Sequence, residues 1–257
     1  MEHLFIDQYS GLDSIIHRLD PRTKIVTLII FVIFIVLTPP TYFLQFLLYF
    51  VVIGGLILLS KVPFIFVFRR VLAVMPFVIV IGLFIPFIKE GEIAGAYSLG
   101  NIKLNVTYSG LIIFWNICIK AFLTVMCLTL LTSTTSFPFF LKGLEKLWVP
   151  GIFIMVLSFM YRYLFVSIDE LMRMKHAKDS RTIKPKRLFE IKTLANMLGS
   201  LFIRSYERGE SVYLAMCSRG FNGSIKTLDN SSFGYKDAIF SVGLTSILVL
   251  IRLTGIL

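Results

Sequence analysis

Two short stretches of the chain share the pattern Ala-x-x-Ser-Arg, and each places an arginine where it could bind an acidic group. The residues concerned are Ala177, Ser180 and Arg181 in the first stretch, and Ala215, Ser218, Arg219 and the following Gly220 in the second. A guanidinium group is a planar fork of donors that can bind a carboxylate through two hydrogen bonds, which an ammonium group cannot reproduce. The chemistry that this pattern offers is therefore the recognition of a partner.

The elements that must position these arginines are two predicted helices, Tyr161 to Arg181 and Leu188 to Arg219. Gly220 suits a left-handed cap at the end of the second helix. Two interpretations fit an arginine at a helix tip. In one, the arginine complements the helix macrodipole, and so short a pattern recurs by chance. In the other, each arginine is a knob for a partner, and two knobs match a closed dimer of cytoplasmic subunits that offers two equivalent grooves.

The composition is that of an integral membrane protein. Of the 257 residues, 56% are hydrophobic and only 16% are charged, and the mean hydropathy is +0.83, which excludes a soluble domain. Uninterrupted apolar runs that are long enough to cross about 30 Å of hydrocarbon indicate an all-α polytopic membrane protein. The net charge of +11 is concentrated in one region of the chain, so it does not indicate nucleic-acid binding.

Five apolar runs are predicted to span the membrane. They are Ile25–Leu37, Tyr42–Leu59, Val71–Ile88, Gly110–Leu131 and Ala238–Leu257. Asp20 and Pro21 are predicted to start the first helix as its cap and its first residue. Because short basic loops stay in the cytoplasm, Arg18, Arg22 and Lys24 predict a cytoplasmic N-terminus.

This orientation predicts a cytoplasmic region of long amphipathic helices. The predicted organisation is residues 1–132 with the N-terminal segment and four spans, residues 133–235 as the cytoplasmic or interfacial region, and residues 236–257 as the last span. Leu147–Ile168 is apolar enough to cross, but a crossing there would put the basic stretch Arg173–Lys192 outside. Leu147–Ile168 is therefore interpreted as an element lying in the inner leaflet, with six spans as the alternative. The basic stretch is interpreted mainly as a surface facing anionic lipid.

The sequence lacks the residue patterns that several kinds of chemistry require. There is no Gly-x-x-x-x-Gly-Lys-Ser/Thr loop, so ATP hydrolysis is not expected of this chain. The five apolar runs hold no carboxylate, which disfavours a proton- or sodium-coupled carrier. The histidines His3, His17 and His176 lie outside the runs and form no ligand cluster, so we expect neither a metal site nor a cofactor. An integral membrane enzyme is disfavoured because its nearest candidates, Asp169, Glu170 and His176, are ordinary helix-surface residues.

Three further residues are predicted to support the helices. Lys120 lies in the middle of the fourth run, where we expect a structural role with Asn116 as its partner. Arg204 and Glu207 have the spacing of an ion pair within one helix. Gly209 is predicted to allow a close crossing with a neighbouring helix.

Four stretches carry a resemblance to a known family. They are Asp13–Lys24, Thr134–Pro150, Ala177–Arg181 and Arg204–Phe221. On these residues the chain resembles the transmembrane (T) component of energy-coupling-factor importers, and more closely the cobalt-transport CbiQ type than the shared vitamin-importer type. Ser218-Arg219-Gly220 fits the family's coupling tip, whereas Ser180-Arg181-Thr182 lacks the glycine, which leaves the register of the first tip open.

The resemblance implies a non-catalytic coupling subunit of an ATP-driven importer in a prokaryotic cytoplasmic membrane. Its implied partners are two cytoplasmic ATPase subunits, a separate substrate-binding membrane subunit and a possible small accessory membrane subunit. The implied ATPase-coupling residues are the seven at the two tips, with Arg219 first and Arg181 second. Cobalt is the expected substrate, while nickel, a shared vitamin system and a stand-alone secondary transporter remain alternatives.

Overall fold

The computed structural model describes residues 9, 11–88, 93–99, 102–181, 187–223 and 234–254. Within these residues the elements are α1 (Pro21–Leu37), α2 (Phe43–Ser60), α3 (Phe64–Gly82), α4 (Ile85–Ile88), β1 (Ile93–Leu99), β2 (Ile102–Thr107), α5 (Tyr108–Thr134), α6 (Phe137–Lys146), α7 (Gly151–Arg181), α8 (Arg187–Ser218) and α9 (Tyr235–Leu253). The chain divides into two compact units, Leu144–Asn230 and Glu2–Gly143 with Ser231–Leu257. The prediction of a helical polytopic membrane protein is confirmed.

The start and the end of α1 follow from local sequence signals. The Asp20 carboxylate accepts a hydrogen bond of 3.0 Å from the backbone N–H of Arg22, and Pro21 occupies the first position, where a missing N–H costs nothing. Thr38 is extended and is followed by two prolines, so the helix ends at Leu37. The predicted cap and first residue of this helix are confirmed.

The core of the unit that contains α1 is built around α5. This helix packs against α1, α2, α3 and α4, and α9 packs against α1 and α2. The largest fully buried side chains include Phe31, Tyr49, Leu123, Met126 and Leu248, with the Phe31 and Tyr49 rings edge to face at 5.8 Å. Interdigitated packing of this kind, and not only apolar character, is what fixes neighbouring helices in a membrane.

A small antiparallel hairpin lies between α4 and α5. Its strands β1 and β2 pair with Ala96 opposite Asn105 and Leu99 opposite Ile102. The strands differ from the polar loop that the sequence predicts for this stretch. Gly100 and Asn101 separate two short runs in the sequence, which is a recognised hairpin signal.

By length and composition, four helical segments can cross a membrane. They are Phe43–Ser60, Phe64–Phe87, Tyr108–Thr134 and Gly151–Arg181. The first three overlap predicted spans, but Phe64–Phe87 starts seven residues before the predicted Val71 and so includes Arg69 and Arg70, which were predicted to lie between spans. The other two predicted spans form helices that fall outside this set, because α1 has 17 residues and α9 contains Lys236, Asp237 and Arg252.

The second unit contains the two longest described helices, α7 with 31 residues and α8 with 32. The apolar stretch Leu147–Ile168 is not a separate element, because most of it is continuous with the predicted helix Tyr161–Arg181 in α7. The break comes earlier, at Trp148 with a φ of +68° and at Pro150, and no proline or glycine follows Gly151 before Arg181. At about 1.5 Å per residue, α7 is longer than a bilayer is thick, so it joins an apolar half to a charged half.

Candidate functional site

The structure places the seven predicted tip residues at two helix ends. Ala177, Ser180 and Arg181 form the last turn of α7, and Ala215 and Ser218 belong to the last turn of α8, which Arg219 and Gly220 follow directly. All seven are exposed. We call these two ends the first tip and the second tip.

The second tip is closed by a complete Schellman motif. Gly220 has a φ of +81°, the left-handed conformation that glycine adopts at little cost. Its N–H donates to the Cys217 carbonyl at 3.0 Å, and the N–H of Phe221 donates to the Met216 carbonyl at 3.1 Å. The predicted role of Gly220 as the cap is confirmed, and the cap fixes the backbone from which Arg219 projects.

The first tip ends directly on its arginine, because Arg181 is the last residue of α7. The next residue, Thr182, which replaces the expected glycine, lies outside the described residues. The alignment of the first tip with the family's coupling tip therefore stays a prediction.

The two serines satisfy their hydroxyl groups inside their own helices. Ser180 Oγ donates to the His176 carbonyl at 2.9 Å, and Ser218 Oγ donates to the Ala215 carbonyl at 3.0 Å. Such bonds keep the hydroxyl close to the helix axis. The guanidinium groups of Arg181 and Arg219, by contrast, have no hydrogen-bond or ion-pair partner among the described residues. Each tip therefore presents, beside small side chains, one planar donor fork that no described residue satisfies.

A carboxylate joins the two helices that carry the tips. Glu170 in α7 accepts from Arg204 Nη1 at 2.7 Å through Oε1 and from Arg208 Nη2 at 3.1 Å through Oε2. The prediction that Arg204 pairs with Glu207 is wrong, because its guanidinium reaches across to α7 instead. The close crossing predicted at Gly209 is not found among the described residues, because nothing outside its own helix backbone and chain neighbours lies within 4 Å of the place where its Cβ would be.

Lys120 lies in the other unit and has a different partner from the predicted Asn116. Its Nζ donates to the Val36 carbonyl at 2.8 Å. Val36 is in the last turn of α1, where carbonyl groups lack helical partners and a positive charge is favourable. A structural role for Lys120 remains a prediction.

A buried polar cluster at the start of α1 was missed by the sequence analysis. Lys24 is only 3% exposed, and its ammonium group donates to the carbonyls of His17 and Thr134 at 3.0 Å each. Asp237 accepts from the backbone N–H of Asp20 at 2.8 Å and from that of Gly234 at 2.9 Å. The cluster therefore links the start of α1 to the end of α5 and the start of α9. In the sequence, only the basic residues before the first apolar run pointed to this cluster. The positive-inside rule already gave a sufficient explanation for those residues.

The His17 side chain is held on both ring nitrogens at the edge of this cluster. Nδ1 lies 2.7 Å from Ser14 Oγ, and Nε2 lies 3.1 Å from the Tyr9 carbonyl. A carbonyl only accepts, so the neutral ring has its proton on Nε2 and takes the serine proton on Nδ1. Desolvation by burial lowers the pKa of His17 from its usual 6.5, and the nearby positive charge of Lys24 lowers it further.

Within the described residues, no group of three or more His, Cys, Asp or Glu side chains could hold a metal ion. The arrangement offers recognition: two exposed arginines lie at the ends of two helices that one carboxylate joins.

Comparison with known proteins gives a consistent family. Residues 13–228 match the family described as CbiQ, cobalt transport protein. An uncharacterized protein of Methanocaldococcus jannaschii is 28% identical over 97% of this chain and 87% of its own length. The energy-coupling factor transporter transmembrane protein EcfT of Listeria innocua is 30% identical, covering 87% of this chain and 86% of that protein. The protein of the same name from Streptococcus equi is also 30% identical, covering 87% and 85%.

Proposed function

This chain belongs to the CbiQ/EcfT family of transmembrane components of energy-coupling-factor transporters, and we propose that its two helix tips link a pair of cytoplasmic ATPase subunits to a separate substrate-binding membrane subunit. The observation that carries this proposal is the pair of exposed Ala-x-x-Ser-Arg tips, whose guanidinium groups bond to none of the described residues. A dimer of ATPases offers two equivalent grooves, and one chain can fill both only if it carries the same binding motif twice.

The proposed mechanism is the transmission of a movement. When the ATPase pair closes on ATP, its two grooves approach each other and carry Arg181 and Arg219 with them. Because α7 and α8 are long helices with few internal breaks, a displacement at the tips becomes a tilt of their far ends. The substrate-binding subunit would follow that tilt between outward and inward states. In this scheme Arg219 and Arg181 bind the ATPases, while Ala177, Ala215, Ser180, Ser218 and Gly220 shape the tips.

The proposed substrate is cobalt, with nickel as the closest alternative. Support for cobalt comes from the description of the matched family, whereas the relatives named EcfT support the alternative of a vitamin importer with a shared transmembrane component. In either case the ion or vitamin would be bound by the separate membrane subunit, and a small accessory membrane subunit fits the cobalt case. This chain itself would catalyse no reaction and carry no cofactor.

The proposed location is the cytoplasmic membrane of a prokaryote, with the N-terminus and residues 133–235 on the cytoplasmic side. The supporting observation is the basic run that contains Arg18, Arg22 and Lys24, together with the charged half of α7. Both tips would then face the compartment that contains ATP.

A pull-down from native membranes tests the coupling role. The wild-type chain should recover an ATP-hydrolysing subunit and a second membrane protein, and the Arg181→Ala/Arg219→Ala double variant should lose the ATPase. Arg181→Lys/Arg219→Lys is the matched control for charge, and it should bind weakly because lysine lacks the planar fork. If the wild type came out alone and moved substrate in vesicles by itself, the chain would be a secondary transporter and this proposal would fail.

A further inference from the structure

A single carboxylate bonds to two arginines that would otherwise repel each other. Arg204 and Arg208 are four residues apart in α8, so they lie on one face, where like charges destabilise a helix. Glu170 gives one oxygen to each, at 2.7 and 3.1 Å, and its side chain is only 13% exposed although the arginines are 56% and 43% exposed. Both carboxylate oxygens are used, so Glu170 joins α7 to two successive turns of α8.

The same ion pair joins equivalent positions of the internal repeat. Glu170 and Arg208 are separated by 38 residues, which is also the separation of Ala177 from Ala215, of Ser180 from Ser218 and of Arg181 from Arg219. The two repeats therefore meet at matching positions, with opposite charges at the point of contact.

Counted from Arg208, the two arms are equal, because eleven residues lead from Glu170 to Arg181 and eleven lead from Arg208 to Arg219. At about 1.5 Å per residue, each of these arms is roughly 16 Å long. Counted from Arg204, which makes the shorter bond to Glu170, the second arm is fifteen residues, or roughly 22 Å. Eleven residues are also close to three full turns, so each arginine leaves its helix from about the same face as the ion-paired residue behind it.

We infer that Glu170, held by Arg204 and Arg208, is the pivot of a two-armed lever that sets the separation of Arg181 and Arg219. Two arms of comparable length on one crossing suit a dimeric partner, since both tips then move when the partner closes. Glu170 acts through the tips and is therefore a positioning residue. The inference rests on the proposed function only where it concerns the partner.

Distances between spin labels on the two arms test the pivot directly. Labels at His176 and Leu214, which are exposed and equivalent in the repeat, would be measured in the full chain in lipid nanodiscs by pulsed electron resonance. Cys118→Ser and Cys217→Ser remove the accessible native thiols, while the buried Cys127 stays. The variants are Glu170→Gln, the charge reversal Glu170→Arg/Arg204→Glu/Arg208→Glu, and Glu207→Gln as a control that removes a neighbouring acid outside the pivot.

The pivot predicts a narrow distance distribution for the wild type and for Glu207→Gln, a broad one for Glu170→Gln, and a return to a narrow one on charge reversal. In the complex purified from native membranes, a non-hydrolysable ATP analogue should shift the wild-type distance as one peak, and Glu170→Gln should lose that shift while the ATPase still co-purifies. An unchanged distribution in Glu170→Gln, or no recovery on charge reversal, would overturn the inference. If no ATPase co-purified even with the wild type, the proposed function would fail, whereas the distributions without nucleotide would still decide the pivot.

Discussion

The charged residues of this chain are used in two opposite ways. Lys24 is buried, and its ammonium group donates to the carbonyls of His17 and Thr134. The negative charges of Asp20 and Asp237 also act on it. Arg181 and Arg219 are exposed and make no such bonds with the described residues. A buried charge must be compensated inside the protein, because desolvation is costly. An exposed and unpaired guanidinium is available to a partner, which is why the tips and not the buried cluster are assigned to coupling.

The stability of the chain should fall on mild acidification because of His17. Its pKa is lowered by desolvation, so between that value and the usual 6.5 the unfolded chain binds a proton that the folded chain does not. The contribution of neutral His17 is therefore complete above pH 6.5 and is lost as the pH falls through the folded-state pKa. Thermal unfolding of the detergent-solubilised chain between pH 8 and pH 5 measures this loss.

Two substitutions isolate the effect of His17. His17→Asn should flatten the dependence of the melting temperature on pH, while His176→Asn, at an exposed position, should leave it as in the wild type. An equal slope in His17→Asn and wild type would mean that acid destabilisation comes from other groups.

At the scale of elements, α6 fits against the start of α1 through a glycine. A Cβ on Gly143 would come within 2.8 Å of Ile25 Cδ1, 3.1 Å of Pro21 Cβ and 3.3 Å of the Pro21 carbonyl carbon. The proline ring is rigid and its backbone begins α1, so it cannot move aside cheaply. Because Gly143 has no side chain, α6 can approach the backbone of α1 this closely.

Gly143→Ala should destabilise the chain by about 1–3 kcal/mol, because the added methyl group overpacks this contact. Gly199→Ala in α8 is the matched control, because no described residue outside its own helix lies within 4 Å of its Cβ position. This substitution should stabilise the helix by roughly 0.5–1 kcal/mol. Thermal unfolding of the two variants in the same detergent gives the comparison. Equal melting temperatures for both variants would show that α6 does not pack closely on α1.

The features that could be predicted from the sequence are those that local residues determine. Asp20 and Pro21 start α1, and Gly220 ends α8 in a left-handed cap, because capping depends on a few neighbouring residues. The bonds from Arg204 to Glu170 and from Lys120 to Val36 join residues far apart in the chain, and a favourable local spacing suggested the wrong partner in both cases. The contact of Gly143 with Pro21 likewise depends on tertiary packing, which one sequence does not encode in any short pattern.

For the whole molecule, the two units have different chemical character. The unit formed by Glu2–Gly143 and Ser231–Leu257 has a packed core around α5 and a buried polar cluster that ties three helices together. The unit Leu144–Asn230 consists of two long helices with exposed apolar and charged surfaces, joined by the bonds of Glu170. Exposed surface of this extent on long helices is typical of subunits that function inside a larger complex.

Both tips of one chain are proposed to engage the same kind of ATPase subunit. Site-specific photo-crosslinking in native cells tests this proposal, with a benzophenone amino acid placed at Ala177, at Ala215 or, as a control, at the exposed Leu58 near the end of α2. Mass spectrometry of the crosslinked products should identify an ATP-hydrolysing subunit from Ala177 and from Ala215, and none from Leu58. Capture of that subunit from one tip alone, or from neither, would contradict the account.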